Sequence, residues 1–165
     1  MKNIRSFLTV VAIVCALFSG CKKSVDNKDM IRFQELTRQY VTEELHIANV
    51  DSVCVVKVDT VNNYEYAQIV VELLRQMNED LLSEYSSLLL SGDTVASRDV
   101  EIQLDEIAAA GEQWEMEVQA TENAPKTMRF YLLTANYYAG NEIDQFYFLV
   151  TPDFKIHILD PFEEL

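Results

Sequence analysis

The chain has 165 residues, of which 49% are hydrophobic and 24% are charged, and its 27 acidic residues outnumber 13 basic ones to give a net charge of −14. That length suits one ordinary domain with room for a hydrophobic core. Nucleic acid and anionic membrane surfaces repel so acidic a domain, so nucleic acid is not expected as a partner and the domain itself is not expected to bind a membrane face.

The first 20 residues have the pattern of a targeting segment. A positively charged start precedes an apolar run over residues 7–18, and the small residues Ser19 and Gly20 form a cleavage site. The apolar run is about 12 residues long, whereas a helix that crosses a bilayer needs about 20. The segment therefore predicts a signal peptide rather than a permanent membrane span.

Phe18-Ser19-Gly20-Cys21 resembles the lipobox of bacterial lipoproteins. The resemblance implies cleavage between Gly20 and Cys21, attachment of a diacylglyceryl group to the Cys21 sulfur, and acylation of the new amino terminus. Two or more acyl chains hold a protein stably on a membrane. We therefore expect residues 1–20 to be removed and the chain to be anchored by lipid at Cys21.

The residues after Cys21 indicate where such a lipoprotein would go. The family retains proteins in the inner membrane through an Asp after the lipidated Cys, and this chain has Lys22 there. Some lipoproteins reach the cell surface through an acidic run at this point, which Lys22-Lys23-Ser24-Val25 lacks. The resemblance thus favours the outer membrane, facing the periplasm.

Removal of residues 1–20 would leave 165 − 20 = 145 residues, with a charge of 11 − 27 = −16 because Lys2 and Arg5 are lost. We expect residues 21–28 to form a lipidated tether and residues 29–165 a single domain. Apart from Cys21, only Cys54 would remain, so no internal disulfide is possible. Its valine neighbours predict a buried, unreactive thiol.

The N-terminal half of the domain predicts two helices around a strand. Apolar residues recur every three or four positions over residues 29–45, which predicts a helix that Asp29 could cap. Residues 52–60 are β-branched and mostly apolar, as in a strand buried on both faces. A long helix is predicted from Asn62 or Asn63 to about residue 90, with Gly92 ending it.

The next segment allows two interpretations. Residues from Ser97 or Asp99 to about 120 carry an apolar stripe typical of a helix that packs against a neighbour. Residues 113–119, however, alternate apolar and polar side chains, which would suit a strand beginning after Gly111. The uninterrupted stripe favours the helix.

The C-terminal segment predicts a three-stranded meander over residues 127–138, 144–151 and 154–159, because turn residues separate three apolar runs. The expected fold class is therefore α+β, a two-layer domain in which helices pack on one face of an antiparallel sheet.

Strand alternation divides the meander residues into two predicted faces. One is mainly phenylalanine and aliphatic residues and is expected to lie under the helices. The other is rich in tyrosine, which suits a surface that a partner protein covers. The predicted partner-binding residues on this face are Tyr131, Leu133, Tyr137, Tyr147, Leu149 and His157.

Motifs for metal, nucleotide and hydrolase chemistry are missing from the sequence, so neither a metal site nor a cofactor is predicted. His157, with Asp160 three residues on, is either an edge-strand histidine or a proton-transfer group. Eight acids and no Lys or Arg lie between Asp99 and Glu122, forming either a solvated face or a surface for a basic partner.

These features favour a lipid-anchored envelope lipoprotein that acts as a non-enzymatic binding or accessory protein. Its partners would be the membrane, through the lipid, and an envelope protein. A role as inhibitor of a basic toxin is a special case, because an acidic surface steers basic partners. The alternatives are a small periplasmic hydrolase using His157 with scattered carboxylates, and a ligand-carrying lipoprotein.

Overall fold

The structure, a computed structural model, describes residues 26–45, 51–139 and 142–162. These residues form three α-helices, a short π-helical segment and a four-stranded antiparallel sheet, which confirms the α+β class. The chain divides into two compact units. One contains the two long helices, Asn63–Lys126, with the described part of the C-terminal end from Asp160; the other contains the sheet and the first helix.

The first helix, α1, spans Asn27–Gln39 and continues as a π-helical segment over Tyr40–Glu44, so the predicted helix over 29–45 is confirmed. It begins earlier than predicted, with Asp26 at the N-cap position. Asp29 is therefore not the cap. It lies in the first turn, where its negative charge interacts favourably with the helix dipole.

The sheet consists of β1 (Ser52–Asn62), β2 (Met128–Ala139), β3 (Glu142–Val150) and β4 (Ile156–His157), in that spatial order, with every neighbouring pair antiparallel. The C-terminal meander is thus confirmed, although its last strand is only two residues long. Before β4 the chain makes a turn in which Phe154 adopts a φ of 64°.

Strand β1 differs from the sequence prediction in its burial. Val53 and Val55 are buried, but Cys54 and Val56 are exposed. The expectation that residues 52–60 are buried on both faces, with Cys54 inside, is wrong, and the low reactivity of Cys54 stays a prediction. A register shift between Val55 and Lys57 leaves Val56 without a partner residue in β2. Cys54 lies on the face opposite Val53 and Val55, and this face is buried at Val61, near the end of the strand.

A side chain of α1 occupies the outer edge of β1. The Gln34 carboxamide donates a hydrogen bond to the Val53 carbonyl oxygen and accepts one from the Val55 N–H at 2.8 Å. A residue of a neighbouring parallel strand would contact the same two backbone groups. Gln34 therefore satisfies an edge that could otherwise pair with another chain.

The unit that contains the two long helices is built on a helical hairpin. Helix α2 spans Asn63–Ser91 and helix α3 spans Thr94–Glu122. Gly92 ends α2 with a φ of 76°, as predicted. The next residue, Asp93, caps α3 by accepting a hydrogen bond from the Ala96 N–H at 3.1 Å.

The helical interpretation of residues 112–120 is confirmed, because α3 runs without a break through Gly111. The apolar stripe thus outweighs the short alternating pattern. The buried residues of α2 lie in its first half, toward the open end of the hairpin, and the Tyr66 ring meets the Trp114 ring edge to face with centroids 5.8 Å apart. The other buried residues of α2 are Ala67, Ile69, Val70, Leu73 and Leu74.

Candidate functional site: the helical hairpin

The six residues predicted to share one binding face lie on both faces of the sheet. In β2, Tyr131 pairs with Val150 and Leu133 pairs with Phe148. These two residues of the predicted binding face therefore lie on the same face as the apolar β3 residues that were predicted to form the core. Leu149 pairs with His157 of β4, and these lie on the opposite face. The expectation of a single face with Tyr131, Leu133, Tyr137, Tyr147, Leu149 and His157 is therefore wrong.

The physical reason is the register of β2 and β3. Ala139 pairs with Glu142, which leaves two residues between the strands, whereas the prediction started the second strand at residue 144. A register that differs by one residue moves every side chain of a strand to the other face. The turn residues 140 and 141 themselves lie outside the described residues.

Several of these side chains belong to the interior of the sheet unit. Leu133 and Leu149 are buried, and the Tyr131 ring packs edge-on against Phe33 of α1 with centroids 5.0 Å apart. Tyr137 stacks on Phe146 with centroids 4.9 Å apart. Burial of the two leucines removes the apolar contacts that a partner would need on either face, and binding by this set stays a prediction.

The His157 ring stacks on the Phe130 ring with centroids 4.4 Å apart and is half-buried. Asp160, which the sequence places near it, accepts a hydrogen bond from the Phe162 N–H at 2.9 Å. Within residues 26–45, 51–139 and 142–162, no three His, Cys, Asp or Glu side chains come together as metal ligands would. His46 lies outside these ranges.

Gly20, Cys21 and the tether up to residue 25 also lie outside the described residues, so the lipid anchor stays a prediction from the sequence. Among the helices of the described ranges, none combines the length and apolar character that crossing a membrane requires.

The hairpin exposes apolar side chains that the sequence interpretation missed. At its closed end, Leu90 is 91% exposed and Val95 is 73% exposed, with Leu89 also exposed beside them. We call Leu89, Leu90 and Val95 the hairpin tip. Exposed single apolar residues are common, but these three lie close together in the chain, on either side of one two-residue turn.

A second set runs along α3. Val95, Ile102, Ala109 and Met116 are spaced by seven residues and are all exposed, with Ile102 at 51% and Met116 at 61%. Residues seven apart on a helix lie almost in line, so these four form one strip, which we call the outer stripe. The stripe predicted from the sequence runs through Val100, and this second strip of the same spacing was not recognised.

The hairpin also carries most of the negative charge. Residues 63–126 contain 14 acidic and 3 basic residues, a net charge of 3 − 14 = −11, out of −16 for the chain without residues 1–20. Arg75 contributes little free positive charge, because Glu72 and Glu79 each contact its guanidinium at 2.5 Å. The hydrogen bond from Arg75 lowers the pKa of Glu72, and the hydrogen bond to Glu72 raises the pKa of Arg75.

Comparison with known proteins adds no assignment. No family model matches the chain, and neither a curated protein nor a solved structure is significantly similar to it.

Proposed function

We propose that the protein is a lipid-anchored lipoprotein of the bacterial outer membrane, facing the periplasm, which acts as a non-enzymatic binding protein. The lipobox-like residues Phe18 to Cys21 support the anchor, and Lys22 supports the outer membrane. In this proposal the lipid fixes the location of the domain and the helical hairpin makes the functional contact.

The observation that carries the proposal is the apolar hairpin tip. Leu89, Leu90 and Val95 flank the turn between two 29-residue helices, each of which is about 43 Å long. Burying one such side chain fully, instead of leaving it in contact with water, is favourable by roughly 1.5–3 kcal/mol. A protein partner that covers the tip would recover part of that free energy.

The anchor is tested by feeding cells a clickable palmitate analogue and separating membranes. The native chain should take up the label and fractionate with the outer membrane. Cys21→Ser should lose both properties. Equal labelling of both chains, or a native chain released in soluble form, would contradict the anchor.

Binding is tested by chemical crosslinking in intact cells, comparing the native chain with Leu90→Ser/Val95→Ser. The expected result is one major crosslinked species that the tip variant loses. Ile31→Ser is the control, because Ile31 is also a large apolar residue that is mostly exposed, at 68%, but lies on α1. Loss of the species in the control as well, or its persistence in the tip variant, would reject the tip as the contact.

A further inference from the structure

We infer that the outer face of α3 is a docking surface for a basic amphipathic helix of a partner protein, an inference that rests on the proposed binding function and specifies its partner. The face combines the outer stripe with a border of carboxylates on each side. Each feature restricts the chemistry of the occupant.

The outer stripe lies on the side of α3 that points away from its buried residues. Val100, Ile107 and Trp114 are buried and are also spaced by seven residues. Ile102 is two positions after Val100, which corresponds to a rotation of about 200° at about 100° per residue. The helix therefore has two apolar strips on opposite sides, of which only the first is buried.

The stripe has the dimensions of a helix-docking seam. Val95 and Met116 are 21 residues apart, so the stripe is about 32 Å long, or three heptads. Ala109 is smaller than its neighbours in the stripe, Ile102 and Met116, so a partner side chain can approach the helix most closely there. An apolar strip in line with a helix axis is the surface that an amphipathic helix recognises.

Carboxylates border the stripe on both sides and determine the charge of the occupant. Asp99, Glu106 and Glu117 lie on one side, and all are exposed. On the other side lie Glu101, Asp105 and Glu112, which are also exposed. Within the described residues, none of these six acids forms an ion pair.

The same charges exclude the other occupants. A second copy would place carboxylates against carboxylates, and like charges in apposition oppose association. Helices that lie on membranes carry Lys and Arg beside the apolar strip, whereas this strip is bordered by acids that anionic lipids repel. Arg98 is the only basic residue of α3 and lies at the N-terminal end of the face, so the basic residues of the partner should meet residues 99–117.

The test uses the full chain, purified in detergent, and two synthetic helical peptides of three heptads. Both peptides have Leu at the seam positions; one has Lys and Arg beside the seam and the other has Glu. Titration calorimetry should give at least tenfold tighter binding of the basic peptide. Its affinity should fall as salt is raised from about 0.1 M to about 1 M, where the screening length drops to roughly 3 Å.

Two variants locate the binding. Ile102→Ala/Met116→Ala should weaken binding of the basic peptide at least tenfold, and Asp105→Lys/Glu112→Lys should abolish the preference for it. The apolar control is Ile31→Ala. The charge control is Glu35→Lys/Glu84→Lys, which changes the net charge by the same 2 × 2 = +4 at exposed sites elsewhere.

Binding that both α3 variants leave unchanged, or that the controls reduce equally, would overturn this inference, as would a stable dimer lost in Ile102→Ala/Met116→Ala. These outcomes leave the proposed function intact if in-cell crosslinking at the hairpin tip persists. Failure of that crosslinking, together with failure of labelling at Cys21, rejects the proposed function itself.

Discussion

The indole N–H of Trp114 donates a 3.0 Å hydrogen bond to the backbone carbonyl oxygen of Pro161, 47 residues further along the chain. Both residues are buried. The bond ties the C-terminal end of the chain to the open end of the hairpin, where Trp114 also contacts Tyr66. The closed end has no comparable buried aromatic pair among the described residues.

Trp114→Phe should lower the free energy of unfolding by about 1–3 kcal/mol, because the buried Pro161 carbonyl loses its donor and the smaller ring leaves a gap. Urea denaturation followed by circular dichroism measures this. In a chain truncated after residue 160 the same substitution should cost less, since the acceptor is gone. An equal cost in both chains would show that the hydrogen bond contributes nothing.

Gln34→Ala should destabilise the sheet unit by about 1–2 kcal/mol, because two backbone groups at the edge of β1 lose their partner. The amide hydrogen of Val55 should also exchange faster with solvent. Gln39→Ala is the matched control, since among the described residues the Gln39 side chain bonds only the exposed Glu43, in the π-helical segment that follows. Equal effects of the two substitutions would contradict the edge contact.

Two glycines of the hairpin should respond oppositely to alanine. Gly111→Ala should stabilise the protein by about 0.8–1 kcal/mol, because the residue is inside a helix and an added Cβ meets no atom within 4 Å. Gly92→Ala should destabilise it by roughly 1 kcal/mol, because a φ of 76° is unfavourable for a residue with a Cβ. Thermal unfolding of both variants measures the pair, and changes of the same sign would contradict the helix boundaries.

Asp153 should make the turn before β4 sensitive to acid. Two hydrogen bonds, a larger contribution from Lys155 and a smaller one from Thr151, lower the pKa of this exposed carboxyl from 3.8 to about 2. Because the folded pKa is the lower one, the carboxylate stabilises the fold above pH 3.8, and this contribution is lost as the pH falls through about 2. The difference in unfolding free energy between the native chain and Asp153→Asn should shrink over that range.

A carboxyl titration of Asp153 by NMR checks the same point directly. The midpoint should lie near 2 in the native chain and move upward in Lys155→Met, which removes the main hydrogen-bond donor. A midpoint at or above 3.8 in the native chain would contradict the turn geometry.

Local patterns predicted the helices and strands well, because they depend on residues close in sequence. The apolar periodicity of α3 indicated a helix through Gly111, and Gly92 marked the end of α2. The burial of Cys54 and Val56 was predicted wrongly, because the composition of a strand shows neither where a bulge interrupts the pairing nor which part of a face is covered. Both depend on how distant segments pack.

The candidate site was harder to predict for two different reasons. The prediction of a single tyrosine-rich face was wrong because the pairing of Ala139 with Glu142 depends on the turn geometry. A shift of the strand register by one residue moves every side chain of the strand to the other face. The outer stripe was visible in the sequence as Val95, Ile102, Ala109 and Met116. It was missed because the buried stripe has the same period, and only the fold distinguishes which of the two is covered.

Under the proposed function, a partner in the cell envelope contacts the hairpin tip. Photo-crosslinking in living cells tests this: a benzophenone amino acid is placed at residue 90, the cells are irradiated and adducts are read on a denaturing gel. One dominant adduct is expected from residue 90 and none of that mass from residue 31, which is also exposed but lies on α1. No adduct from residue 90, or the same adducts from both positions, would contradict it.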